Sequence, residues 1–256
     1  MHNDFVIDDS IYSVPIENAY EVLHDWWYDI LEQLRGKIIR FDITAGMDTR
    51  FFLSWLSRGI AKELYFNNRP YKFEGEEKAK KEPSLRAHGT YGMDALGYMF
   101  GIMLDAKPGA KWQDCELCLS GARASQILGK DPDRIDECTK NGITFIIEEC
   151  RRHKTLSKPN FMNPFFHKNI FMVDFHKEMK LLSTVLYLIY MPEWALRFPF
   201  KSMTYDPYYT IWDLPVERAR AIISQWPLND FEKENYSKNM KLYDSMTKRK
   251  ASVFRL

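Results

Sequence analysis

Lys37-Ile-Ile-Arg-Phe-Asp-Ile-Thr44, then Ala45-Gly46, then Met47-Asp-Thr-Arg-Phe-Phe-Leu-Ser-Trp-Leu56 is the stretch whose reading decides the fold. Ile39, Phe41 and Ile43 alternate, which puts them on one face of a strand. Two small residues follow, and the apolar spacing lengthens at once, Phe51 and Phe52 recurring as Trp55 and Leu56 four residues on. That change of period predicts a helix from about Asp48 to Gly59. Upstream, Ser13, Pro15 and Glu17 announce a helix start. Ala19, Val22, Leu23, Trp26, Trp27, Ile30, Leu31 and Leu34 then keep helical spacing until Gly36 stops the run. Helix, strand, small-residue turn, helix is the rhythm of a parallel α/β sheet.

The rhythm continues with a strand near Tyr71 to Phe73, a helix from about Met93 to Leu104, and a strand ending at Leu119. Phe73 to Arg86 is dense in charge and reads as a solvated loop or exposed helical turn. From Pro132 onward the pattern is mostly helical, with aromatic-rich stretches from Phe161 to Phe175 and Leu181 to Phe200. The expected fold is α/β, a parallel sheet with flanking helices followed by a mostly helical C-terminal part. The division falls at residues 1–130 and 131–256, packed as one unit, since no Pro/Gly/Ser-rich linker separates them.

Composition narrows the function classes. Of 256 residues, 45% are hydrophobic and 15% aromatic, enough for a packed core and incompatible with a disordered chain. Lys and Arg number 36 against 35 Asp and Glu, so no global positive field marks a nucleic-acid coat. The apolar run Leu181 to Met191 is shorter than the roughly 20 residues a membrane span needs. The start Met-His-Asn-Asp lacks the basic and apolar regions of a signal peptide. The expectation is a soluble, cytoplasmic protein with no nucleic-acid partner and no membrane span.

Cys115-x-x-Cys118, with Cys138 and Cys150, has the residue types of a zinc site. The compact apolar run Cys115-Glu-Leu-Cys-Leu119 reads instead as a buried strand carrying core thiols. The six histidines show no metal-ligand spacing. Arg40 and Asp42 share a strand face and read as a structural ion pair. Lys248, Arg249 and Lys250 read as a frayed, solvated tail, or as contacts to a phosphate or an acidic partner.

The loop between strand and helix carries the chemistry. A strand that ends in tiny residues and turns into a helix exposes backbone N–H groups that suit an anion. Ala45 and Gly46 let a phosphate approach the backbone, and Thr44 and Thr49 add hydroxyls. Asp48 is either a first-turn helix cap or a carboxylate joined to phosphate through a divalent cation. No Walker loop, Gly-x-Gly-x-x-Gly, His-Glu-x-x-His or Gly-x-Ser-x-Gly occurs.

Thr44-Ala-Gly-Met-Asp-Thr49 resembles the Ser-Gly-Gly-x-Asp-Ser pyrophosphate loop of the PP-loop ATP pyrophosphatases, and its flanks resemble the asparagine synthetase-type branch. Arg50 directly after the loop is also frequent in that branch. Three weaker echoes follow in order: Gly92-Met-Asp94 with its helix, Leu119-Ser-Gly-Ala-Arg-Ala-Ser-Gln126, and Arg197-Phe-Pro-Phe200 with Asp206 and Leu214-Pro215. The resemblance covers roughly Pro15 to Arg218. It implies ATP and Mg²⁺ as cofactors, with pyrophosphate held by Thr44, Ala45, Gly46, Asp48 and Thr49, and Asp48 as the metal-linked group. Ser120 and Gly121 join the nucleotide site. The implied reaction joins a small-molecule carboxylate to AMP, then passes the acyl group to ammonia or an amine, making an amide.

Two departures qualify that expectation. His2 stands where the branch has a catalytic cysteine, and no glutaminase half precedes the first helix, so a separate glutaminase, free ammonia or another amine would supply nitrogen. Ala122, Ser125 and Gln126 replace acidic residues of the second motif, and Arg123 appears among them. Arg123 either neutralises phosphate charge directly, as a catalytic residue, or is an exposed loop arginine in a degenerate site. The alternative function is therefore a catalytically quiet relative that binds a nucleotide or a protein.

Overall fold

Helix α1 (Tyr20–Leu34) turns Leu23, Trp26, Trp27, Ile30, Leu31 and Leu34 into the core, the row its periodicity predicts. It belongs to a computed structural model that describes residues 12–43, 47–67, 91–121, 160–174, 180–198 and 214–253. The helix starts later than Ser13 and Pro15 suggest. Val14–Pro15 is a short strand, β1, and Ile16–Asn18 a 3₁₀ turn, so α1 begins after Ala19. At the other end Gly36 adopts φ +68°, a conformation that strains any residue with a Cβ.

Five strands form the main sheet: β2 (Ile38–Asp42), β3 (Glu63–Asn67), β4 (Lys107–Pro108), β5 (Leu117–Leu119) and β6 (Phe161–Met162). Their order is β4-β3-β2-β5-β6, and each neighbouring pair is parallel. A second, two-stranded parallel sheet joins β1 to β7 (Val173–Asp174). The architecture is α/β, a parallel sheet flanked by helices with a helical C-terminal part. The strand expected near 71–73 lies outside the described residues. The observed second strand is β3, where Leu64 and Phe66 pair with Ile39 and Phe41 in register. Strands β6 and β7 fall where a helical pattern was expected, because two residues leave no period to read.

The helix expected from about Asp48 to Gly59 is two short ones, α2 (Met47–Arg50) and α3 (Leu53–Leu56). At the joint the N–H groups of Ser54 and Trp55 bond three residues back, to Phe51 and Phe52 carbonyls at 2.9 and 3.1 Å. This tighter pitch turns Phe51, Phe52 and Trp55 inward together. Trp26 stacks on Phe51 at 5.8 Å, and Trp55 meets Trp26 edge-on at 5.4 Å. Their indole N–H groups are satisfied: Trp26 donates to the Pro164 carbonyl at 2.8 Å and Trp55 to the Trp27 carbonyl at 2.9 Å.

Helix α4 (Tyr91–Met103) follows β3 in the chain and packs Gly101 onto Phe66. After β6 come α5 (Lys168–Met172), α6 (Leu181–Tyr190), α7 (Glu193–Leu196), α8 (Val216–Ile223) and α9 (Asp230–Val253). All ten residues of α6 are buried, with α8 and α9 packed against it. The apolar run that is too short to cross a bilayer is thus a core helix. No helix among the described residues is long and apolar enough to span a membrane.

Burying a whole helix leaves its C-terminal carbonyls away from water, and they need donors. Asn235 supplies its side-chain amide to the Ile189 and Met191 carbonyls at 2.8 and 2.9 Å. Asn239, one turn on, donates to the carbonyls of Leu188 and Met191, both at 2.9 Å. The start of α9 is fixed as firmly. Asn229 accepts from the Glu232 N–H and Glu232 accepts from the Asn229 N–H, both at 3.0 Å, a reciprocal capping box. The buried Glu232 carboxylate also accepts from Tyr20 and Tyr190 hydroxyls at 2.7 and 3.0 Å. Burial, reinforced by Glu232, raises the pKa of both tyrosines. α9 runs to Val253, so the backbone of the basic triplet 248–250 is helical where a frayed tail was expected.

Two stability predictions follow from this packing. Asn239→Ala leaves the buried Leu188 carbonyl without its donor and is expected to cost about 1–3 kcal/mol in urea unfolding; an unchanged midpoint would refute the capping account. Gly101→Ala puts a Cβ 2.5 Å from the Phe66 ring. It should cost about 1–3 kcal/mol, and less in a Phe66→Leu background.

Candidate functional site

The order β4-β3-β2-β5-β6 means that the chain leaves β2 towards β3 on one side and later returns to β5 on the other. The reversal point lies between β2 and β5. In open parallel sheets, the connections leaving two such strands go to opposite faces, and a crevice opens beyond their carboxyl ends. Register Phe41 to Leu119 brings the two ends level, with Ile43 following one strand and Ser120-Gly121 the other. The ends of β2 and β5 are therefore neighbours at this reversal point, although more than 70 residues separate them in sequence.

Thr44, Ala45, Gly46 and Arg123 lie outside the described residues, as do Ala122, Ser125 and Gln126. Asp48 sits in the first turn of α2, its side chain outside the description. Thr49 is half-buried in the same turn, and its carbonyl accepts from the Phe52 N–H at 3.2 Å. Ser120 is 4% exposed, and its N–H donates to the Met162 carbonyl at 2.9 Å, which ties the end of β5 to β6. Gly121 is half-buried beside it. Topology sets α2 and the start of the second motif, Ser120-Gly121, beyond the ends of neighbouring strands, while the Arg197 segment is joined to α2 by another residue.

That residue is Arg50. It follows Thr49 directly and is 0% exposed. Its Nη1 donates to the Phe198 carbonyl at 2.8 Å and to the Ala195 carbonyl at 3.4 Å, and its guanidinium carbon lies 4.9 Å from the Phe100 ring centre. The signal was an arginine placed just ahead of Phe-Phe-Leu in a row that otherwise buries. Asn163, at the end of β6, is a second buried polar residue on this edge; its Oδ1 accepts from the Phe165 N–H at 3.0 Å. Nothing in its local sequence announced it.

The remaining polar candidates resolve as structural. Arg40 Nη2 lies 3.9 Å from Asp42 Oδ1, the ion pair expected on that strand. His167 accepts from the Asn169 N–H with Nδ1 and pairs with Asp29 through Nε2 at 3.1 Å, capping α5. A cleft of about 500 Å³ between α7 and α9 is lined by Glu193, Arg197, Lys238, Lys241, Ser245 and Met246 among others. Arg197 pairs with Glu193, and Lys238 with Glu234, so most of its positive charge is already matched.

Cys115 and Cys118 are buried. Cys115 Sγ donates to the Lys111 carbonyl at 3.6 Å and Cys118 Sγ to the Trp112 carbonyl at 3.8 Å. Burial raises both thiol pKa values, that of Cys118 to about 11. Among the described residues no group of His, Cys, Asp or Glu is arranged to hold a metal; Cys138 and Cys150 lie outside them. At pH 8 the Cys118 thiolate fraction is about one in a thousand. Iodoacetamide should leave both thiols unmodified in the folded protein and alkylate them in urea, read by peptide mass spectrometry. Rapid native labelling would contradict the buried-thiol assignment. Comparison with protein-family models, with curated proteins and with solved structures found no match for this chain.

Proposed function

We propose that this chain is an ATP-dependent, AMP-forming ligase of the asparagine synthetase-like PP-loop kind, activating a small-molecule carboxylate for transfer to ammonia or an amine. The observation that carries the reading is the coincidence of two independent signals. The loop resembling a pyrophosphate loop follows β2, and β2 and β5 flank the reversal point where a parallel sheet binds ligands.

The residues fit the groups the reaction needs. Small residues at Ala45, Gly46 and Gly121 leave backbone open to phosphate. The buried Arg50 guanidinium adds positive charge to this edge of the sheet. Mg²⁺ is commonly bound by one or two carboxylates and completed by phosphate oxygens, so Asp48 alone suffices as a protein ligand. The metal would offset phosphate charge.

In the reaction, a carboxylate oxygen of the substrate attacks the α-phosphorus of ATP and pyrophosphate departs. The loop amides and the hydroxyls of Thr44 and Thr49 stabilise the departing oxygens. The amine nitrogen then attacks the acyl carbon, AMP leaves, and the nitrogen loses a proton. Ser120 and Gly121 border the nucleotide. Arg123 would take over charge neutralisation where the related motif has carboxylates.

A second reading has its own support. Ala122, Ser125 and Gln126 remove the acids of the second motif. A chain that binds nucleotide or a partner protein without turnover would show that loss and still keep Asp48.

Melting curves separate these readings. Mg·ATP at about 100 times its dissociation constant should add about 2.7 kcal/mol of stability, a rise of roughly 5–11 °C. Asp48→Ala should abolish the rise. No shift at millimolar Mg·ATP would defeat both nucleotide readings. Exchange of labelled pyrophosphate into ATP with some member of a carboxylate panel identifies the ligase, and binding without exchange identifies the quiet relative.

A further inference from the structure

A guanidinium with no solvent exposure is uncommon, because removing the charge from water is costly. Arg50 accepts that cost in a particular place. Its backbone ends α2, the turn that leaves the crevice. Its Nη1 reaches the carbonyls of Ala195 and Phe198, at the end of α7. Its face lies against Phe100 of α4, which in turn meets Trp194 and Phe198 at 5.9 and 5.7 Å. One side chain thus joins three segments far apart in sequence.

Each contact uses a property that other side chains lack. The planar fork serves two carbonyls from one nitrogen while the ring contact uses the guanidinium face; a lysine ammonium is a compact charge that matches neither geometry as well. A methionine of similar length would fill the space beside Phe100 but leave the carbonyls of Ala195 and Phe198 without this donor. Volume alone does not account for an arginine here.

Position gives the rest of the argument. Arg50 is the first residue after Thr49 and the second after Asp48, so holding Arg50 holds the direction in which both leave the loop. Its anchor is the 195–198 turn, which belongs to the helical C-terminal part.

We infer that Arg50 is a positioning residue for this site: it clamps α2 to the 195–198 turn and to Phe100, so that the placement of α2, which carries Asp48 and Thr49, depends on the C-terminal helices. This inference rests on the nucleotide reading above for its ligand, and on Arg50's contacts alone for its coupling. The site and the α7 turn move as one unit.

The test uses the full chain with Arg50→Met and Arg50→Lys, and has two arms. In ligand-free protein, hydrogen exchange is followed by mass spectrometry across all peptides. Arg50→Met should accelerate exchange at least tenfold at 47–54 and 193–198, leaving α1 and α9 protected; Arg50→Lys should fall between it and the parent. In the second arm Mg·ATP affinity is titrated. It should weaken at least tenfold in Arg50→Met and recover partly in Arg50→Lys, with melting temperatures of the free proteins only a few degrees lower.

Uniform acceleration across the core, undiminished affinity in Arg50→Met, or failure of both variants to fold would each assign Arg50 to general packing and overturn the inference. If the parent chain binds no Mg·ATP, the nucleotide reading falls by itself. The exchange arm then decides the coupling alone: acceleration confined to the two segments upholds it, and uniform acceleration ends it.

Discussion

Strand β2 is hydrogen-bonded along both edges, to β3 and to β5, and must bury Ile39, Phe41 and Ile43 on one face. That demand organises the fold. A parallel strand bonded on both sides cannot be served by short hairpins; the chain must leave and return through crossover connections, most of which are helical. The apolar face of α1 and the inward aromatics of the α2–α3 joint supply the cover. Trp26, Phe51, Trp55 and Phe165 interlock there through stacked and edge-on contacts. The same reversal of strand order that satisfies β2 on both edges is the place where open parallel sheets take their ligands.

The C-terminal helices solve a complementary problem, how to bury polar groups without losing their hydrogen bonds. α6 is apolar on all sides, and the two asparagines of α9 satisfy the carbonyls it would strand. Glu232 serves at once as helix cap and as acceptor for the half-buried Tyr20 and the buried Tyr190. Arg58 belongs to the same economy: it lies 4.1 Å over the Phe231 ring and donates to the Tyr190 carbonyl, and burial lowers its pKa to about 10. Such groups lock helices in register, since a slip would leave a charge or a carbonyl unpaired in the core.

What could be read from the chain alone was what repeats locally. α1 declared itself through eight apolar positions at helical spacing, and β2 through its alternation. β6 was not legible, because its two residues depend wholly on β5 beside them. β3 alternates over only five residues, too few to stand out beside the longer run from Lys37 to Thr44 that holds β2. Arg50 shows the deeper limit. Its neighbours in sequence indicate a buried row, but its partners lie some 50 and 145 residues away, and no spacing rule reaches that far. The capping box at Asn229 and Glu232 was within reach, since Asn-x-x-Glu is its signature.

The crevice between β2 and β5 is the point on which the functional account turns, and the amide NMR spectrum of the chain titrated with magnesium pyrophosphate tests it most directly. The account predicts that the largest shift changes fall on residues 44–50 and 120–123, saturating together. Changes confined to the cleft between α7 and α9, or no change at millimolar concentration, would contradict it.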